Sequence, residues 1–196
     1  MHLHLRTKAV LLLTTYFSDP VKGDPMPLTP LEWGRFAIWL RDSRLTPESL
    51  VMEDPAILLS TWRDETVTHD RIHALLARSG ALGVVLEKWL RVGLWALTRS
   101  DPEYPYRLKN RLKHFSPPII FGSGDKKLIN QSAIAVIGPV SSNEQEIIFA
   151  ASLGKESALS GYNIASGFSN GVEDAAMKGA IENGGTVMGV LSDNLL

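Results

Sequence analysis

The feature that most limits what this chain can fold into is an alternation in its last third. Short apolar runs, Ala133–Ile137, Tyr162–Ala165 and Thr186–Leu191, take turns with two helical stretches, Asn143–Leu159 and Val172–Glu182. Runs this apolar suit strands buried on both faces, and a helical crossover between consecutive strands makes them parallel. Ile119–Phe121 adds a further short strand candidate upstream. In such a sheet, ligands bind beyond the carboxyl ends of the strands, so the loops after Ile137 and Ala165 are the places to look for a site.

Upstream the periodicity is helical. Thr29 can cap a helix, with Pro30 at its first position and Glu32 three residues after the cap, and Trp33, Phe36, Ala37 and Leu40 then recur at spacings of three and four. Shorter helical pieces are expected around Pro47–Met52, Pro55–Trp62 and His69–Arg78. The longest helical signal runs through Leu82, Val85, Leu86, Trp89, Leu90 and Leu94, with Glu87, Lys88 and Arg91 on its other side. The five tryptophans fall within these apolar periodicities and are expected in the core. The expected fold class is α/β: a partial Rossmann-like parallel sheet with an N-terminal all-helical (SAM or helix-hairpin-like) domain. The expected division is an N-terminal segment and proline-rich linker over 1–27, the helical domain over 28–100 and the sheet domain over 101–196. The chain stops soon after a central-looking strand, which leaves three readings: a divergent protein, a subunit completed by a partner, or a truncated chain.

Composition narrows the function. There is no cysteine, which excludes disulfides, thiolate metal sites and a cysteine nucleophile. The apolar run Ala9–Leu13 is too short for a signal-peptide core, and no stretch reaches membrane-spanning length. The net charge of -1 hides an asymmetry: residues 1–118 hold 16 Lys/Arg and 13 Asp/Glu, and residues 119–196 hold 4 and 8. A nucleic-acid surface should therefore lean on the first part or on a local patch. Arg99, Arg107, Lys109, Arg111 and Lys113, with His114, form such a patch, and Tyr104, Tyr106 and Phe115 are interleaved with them. That mixture can hold single-stranded nucleic acid, or it can be a solvated linker helix.

Two loops are candidates for phosphate contact. In the first, Gly138-Pro139-Val140-Ser141-Ser142-Asn143, backbone amides and the Ser and Asn side chains can hold an anion; alternatively Ser141 or Ser142 only caps the helix, paired with Glu144 or Gln145. In the second, Ser166-Gly167-Phe168-Ser169-Asn170-Gly171, the glycines allow close backbone approach, while Glu173 and Asp174 repel phosphate unless one binds a ribose hydroxyl or a backbone amide. The five histidines make no metal-like cluster, and no catalytic residue, metal or cofactor is assigned.

Taken in order, Tyr104-Pro105, Leu108, Pro117-Pro118-Ile119-Ile120-Phe121 with Gly124, A-I-A-V-I-G (133–138), S-G-F-S-N-G-V-E-D-A-A-M-K-G-A (166–180) and G-G-T-V-M-G-V-L (184–191) resemble the DNA-processing protein A (Smf) family. The resemblance implies a cytoplasmic, non-enzymatic, usually homodimeric protein that binds single-stranded DNA and helps load a RecA-like recombinase in natural transformation. The family's DNA-contacting glycine loop corresponds to Gly138 and Ser141, and the residues expected to bind a ligand or DNA phosphate across the two loops are Gly138, Ser141, Ser142, Ser166, Gly167, Asn170, Gly171 and Glu173. Against the family pattern, Val140 stands where an arginine contacts the DNA backbone, Glu173 replaces an aspartate and Met177 a histidine. Arginine is a permanently charged phosphate fork and valine offers none. Two other readings therefore stand beside DNA binding: a sensor module for a nucleotide-like ligand, and a ligand-free scaffold subunit of a bacterial defence complex whose partner completes the sheet.

Overall fold

The computed structural model describes residues 3–191, so His2 and the end of the chain beyond Leu191 lie outside it. The chain divides into two compact units, one up to Gly124 and one from Asp125 onward.

The first unit is built around α1 (Leu5–Thr14), in which Ala9, Val10, Leu11, Leu12 and Leu13 are all buried. A helix apolar on every side belongs at the centre of a core, and the run too short for a signal peptide is used in that way. Around it lie α2 (Pro30–Asp42), the single turns α3 (Ser49–Met52) and α4 (Pro55–Leu58), then α5 (His69–Leu76) and α6 (Ser79–Arg91). Phe36, fully buried, meets Trp33, Trp39 and Trp62 at ring-centroid distances of 6.3, 5.8 and 5.1 Å. Trp33 and Trp62 are core residues, and Trp39 and Trp89 pack against the same core. The end of α1 is held by Arg78, whose guanidinium donates to the Leu12 and Thr15 carbonyls and lies over the Phe17 ring. A cation suits a helix C-terminus, where carbonyls lack intrahelical partners.

The expected cap of α2 forms in full: Thr29 Oγ1 accepts from the Glu32 amide and the Glu32 carboxylate accepts from the Thr29 amide. That carboxylate is also gripped by Arg71 of α5, with Nη1–Oε1 2.7 Å and Nη2–Oε2 3.1 Å. Partial burial raises the Glu32 pKa, but the Arg71 hydrogen bonds and the Thr29 amide outweigh it and lower the group from 4.5 to about 2. A depressed carboxyl pKa adds stability that is complete above the unfolded value and is lost as pH falls through the folded one. The stability difference between the unaltered chain and Glu32→Gln should therefore be constant near neutrality and shrink from about pH 4.5 toward pH 2 in acid denaturation followed by tryptophan emission. A difference that held constant through that window would contradict the assignment.

The region expected to be all-helical also contains a strand. Gly93, at φ 72°, stops the helical run after α6, and Leu94 begins β1 (Leu94–Thr98) instead of closing the helix. After α7 (Tyr106–Leu112), β2 (Ile119–Ser123) returns antiparallel to β1, and the Trp95 indole lies across its register partner Gly122. A Cβ at residue 122 would overlap that ring, so the bare glycine is what seats it.

The second unit is a β-α-β-α-β succession: β3 (Ala133–Val136), α8 (Glu144–Leu159), β4 (Asn163–Ser166), α9 (Val172–Glu182) and β5 (Val187–Gly189). The strands are parallel, in the order β3-β4-β5, with Ile134 beside Ile164 and Ile164 beside Val187. Ile134, Val136, Ile164 and Val187 share one core with Ala150, Ala175, Ala176, Met177 and Ala180, so both helices cover the same face. Monotonic strand order with right-handed crossovers requires this placement. On the other face Ala135 is exposed and Ala165 and Met188 are half-buried, while Ile137, just past β3, is 84% exposed.

Candidate nucleic-acid interface

The two glycine loops meet at the carboxyl end of the parallel strands. Gly171 precedes α9 at φ 92°, and a Cβ there would stand 2.9 Å from both the Pro139 and Val140 carbonyl oxygens. Gly138 faces the start of α9 from the other loop, where a Cβ would overlap Val172. Each glycine is thus required by contact with the opposite loop, besides the freedom that Gly171 needs at positive φ. Ser166 is buried, and its hydroxyl donates to the Val136 carbonyl at 2.8 Å, joining the ends of β3 and β4.

The helix cap of the first loop lies one or two residues beyond the serines named from the sequence. Asn143 Oδ1 accepts from the Glu146 amide and Glu146 returns the bond to the Asn143 amide, both at 2.9 Å, while Ser142 Oγ donates to the Pro139 carbonyl. The cap falls to Asn143 because it is the residue whose extended backbone (φ -79°, ψ 168°) directly precedes the helix. Ser141 and Asn170 are exposed, as is Gly167.

Glu173 is 5% exposed, and its carboxylate faces the loops rather than solvent. Oε2 accepts from the Ser169 amide at 3.0 Å, and Oε1 accepts a longer bond from the Gly138 amide at 3.4 Å. The Ser169 amide holds its pKa below the ordinary carboxyl value, against a smaller opposing effect of burial and with help from the Gly138 amide. Of the two partners left open by the sequence, a ribose hydroxyl or a backbone amide, the structure supplies the amide. Phe168 has no sequence signal of its own, yet it is 62% exposed and sits at φ 65°, a conformation uncommon for a bulky residue. Val140 and Val190, both 64% exposed, add apolar surface to a rim that also carries the exposed Ser141 and Asn170. Among the described residues no three His, Asp or Glu side chains gather as a metal-binding set, and no helix is long and apolar enough to cross a membrane.

The basic stretch belongs to the first unit. It runs along α7 and the following 3₁₀ turn, Lys113–Phe115, which seats its His114 carbonyl against α2 at Gly34. Tyr104 is buried, its hydroxyl donating to the Pro117 carbonyl at 2.8 Å, so it anchors the segment rather than facing a ligand. Arg99 is half-buried; its carbonyl accepts from Lys109 Nζ at 2.9 Å. Arg107, Lys109, Arg111 and Lys113 are exposed, and the ion pairs of the described residues include none of them. Tyr106 and Phe115, 52% and 55% exposed, flank these cations in the chain, with the Arg107 guanidinium 5.7 Å from the Tyr106 ring centre and the His114 ring 4.2 Å from that of Phe115.

Residues 95–196, just over half of the chain, match the family DNA recombination-mediator protein A. The chain belongs to this DprA/Smf family. A solved structure, DNA processing protein A (DprA) from Streptococcus pneumoniae, is 19% identical with a TM-score of 0.51, over 85% of this chain and 58% of that one. At that identity the likeness speaks for the fold, and the chain spans 58% of that protein's length. Comparison with curated proteins returned no match. In this DprA/Smf member the loop glycines are in close contact, and position 140 of the first loop is an uncharged, exposed valine. Among the described residues, four exposed cations outside the ion pairs follow one another along α7 and the turn after it.

Proposed function

We propose that the chain binds single-stranded DNA and serves DNA processing or recombination, with the α7 strip as the principal contact. The observation that carries this reading is the group of four exposed cations, outside the ion pairs of the described residues, flanked by two exposed aromatic residues. Cations without carboxylate partners are available for phosphates, and aromatic faces stack on bases that are not already stacked in a duplex. Family membership supports the same reading. In it, the parallel sheet is part of a Rossmann-like domain, the helices before it form a SAM-like domain, and Ser141 and Asn170 offer polar side chains at the loop rim. A RecA-like recombinase is the partner that receives the strand. An oligonucleotide titrated as a single strand and as its duplex should bind more tightly single-stranded, because only unstacked bases can meet Tyr106 and Phe115. Equal affinity for the two, or no binding at low salt, would overturn the proposal.

The sheet face away from α8 and α9, with Ala135 exposed, Ala165 and Met188 half-buried and Ile137 84% exposed, favours a second reading in which a second copy or another protein covers it. Parallel strands are rarely left open to water on one side. Mass in solution tests this: a monomer at every accessible concentration speaks against self-association.

A further inference from the structure

Glu173 is a buried acid that the proposed DNA strip does not use. Its position is unusual in what converges on it: the Gly138 amide from the end of β3 and the Ser169 amide from the loop after β4, at 3.4 and 3.0 Å. The backbone leaves room for the carboxylate at Gly167, where a Cβ would come within 3.0 Å of Oε2. Gly138 and Gly171 then bring the two loops together beside it. Donors from two strand ends, in the place where open parallel sheets receive their ligands, already hold an anion, and that anion belongs to the chain. The hydrogen bonds and ion pairs of the described residues bring no lysine or arginine to this carboxylate, and Val140 of the facing loop carries no charge.

We infer that Glu173 is the loop pair's own anion, taking the amides that an incoming phosphate would need, so that this edge of the sheet excludes phosphate groups and is held closed by the chain itself. A phosphate arriving here meets a buried negative charge that no cation of the described residues pairs with, and two amides already in use, all of which oppose binding. The length of the side chain matters: it spans from α9 to both loops, whereas the aspartate of the family pattern is one methylene shorter. With aspartate the already long bond to Gly138 is the one expected to be lost. The inference is independent of the α7 strip, which lies in the other unit, and it weighs against the nucleotide-sensor reading.

Amide resonances of Gly138 and Ser169 in the full chain, titrated with inorganic phosphate, test it directly. In the unaltered protein neither should move saturably. In E173A both amides are released, and phosphate should move them saturably, with an affinity about tenfold or more above any response of the unaltered chain, as expected for gaining charge-assisted hydrogen bonds. E173D should keep the Ser169 shift near its native value and change that of Gly138. Saturable phosphate shifts at these amides in the unaltered chain would overturn the inference, as would a folded E173A that ignores phosphate. If E173A does not fold, the unaltered chain and E173D still decide. Binding of an oligonucleotide bears on the DNA proposal alone, because inorganic phosphate is the probe for the loops.

Discussion

Gly154→Leu should unfold the second unit while leaving the tryptophan emission of the first in place. Helices α8 and α9 meet backbone to backbone: a Cβ at Gly154 would overlap the Ala176 carbonyl, and one at Gly179 would overlap the Ala151 carbonyl. Ala150, Ala176 and Ala180, all buried, complete a seam of small side chains. Two glycines inside helices each cost roughly 1 kcal/mol in helix propensity relative to alanine, so their presence is explained by this close approach. A leucine at 154 finds carbonyl oxygen and main chain rather than yielding side-chain ends, and the helices must separate from each other or from β4. Overpacking in a core usually costs about 1–3 kcal/mol, and here, with rigid backbone on both sides, at least about 3 kcal/mol is expected. A unit this small, whose described residues form three short parallel strands under two α-helices, has little reserve to absorb that. All five tryptophans lie between Trp33 and Trp95, in the first unit, so circular dichroism should lose the helical signal of α8 and α9 while tryptophan emission stays native. A variant whose dichroism and melting match the unaltered chain would show that the seam is not tight.

Arg71→Met should destabilise the first unit most among its surface-reaching substitutions. The Arg71 guanidinium donates to five acceptors: the carbonyls of Met26, Pro27 and Thr66 and both oxygens of Glu32. One side chain thereby joins the proline-rich segment, the cap of α2 and the start of α5. The proline-rich segment cannot be secured by a regular ladder of its own, because its prolines lack the N–H. Removing one partner of a fully buried pair costs about 3–5 kcal/mol. Here the two side chains remain 20% and 14% exposed, which screens the charge left on Glu32, so about 2–3 kcal/mol is expected. The midpoint of thermal unfolding by tryptophan emission should fall by roughly 10 °C. Methionine keeps the apolar stem, so a shift this large reports the guanidinium and not lost packing. An unchanged midpoint would mean that the segment is secured by other contacts.

The parts of the fold that were legible are those written locally. The Thr29, Pro30 and Glu32 signature produced the observed capping box, the expected helix Val172–Glu182 has the observed bounds, and three apolar runs became the three parallel strands. What was illegible depends on partners distant in the chain. The apolar spacing that ran on through Leu94 could not register that Gly93 takes a positive φ and that β2, more than twenty residues later, offers a ladder. Ser141 and Ser142 satisfy the composition of a cap as well as Asn143 does, and only backbone geometry separates them. In the candidate site, the glycines were readable as places of close approach, but not that each one makes room for the opposite loop. An acid beside a glycine loop was readable as hostile to phosphate; that its oxygens reach two amides of the same loops needed the fold. The basic stretch was legible as a run of charges, whereas the burial of Tyr104 and the exposure of Tyr106 and Phe115 were not.

The central claim, that the α7 strip makes the DNA contact, is tested most directly by the salt dependence of binding to a single-stranded oligonucleotide, compared between the unaltered chain and R107A/K109A/R111A/K113A. Each phosphate contact to a single strand adds roughly 0.7 to the slope of log affinity against log salt, so up to about 3 is expected from four cations. The account predicts that the variant loses most of this slope and at least about tenfold in affinity at low salt, with tryptophan emission unchanged. A variant that folds and binds with the full slope and affinity would contradict it.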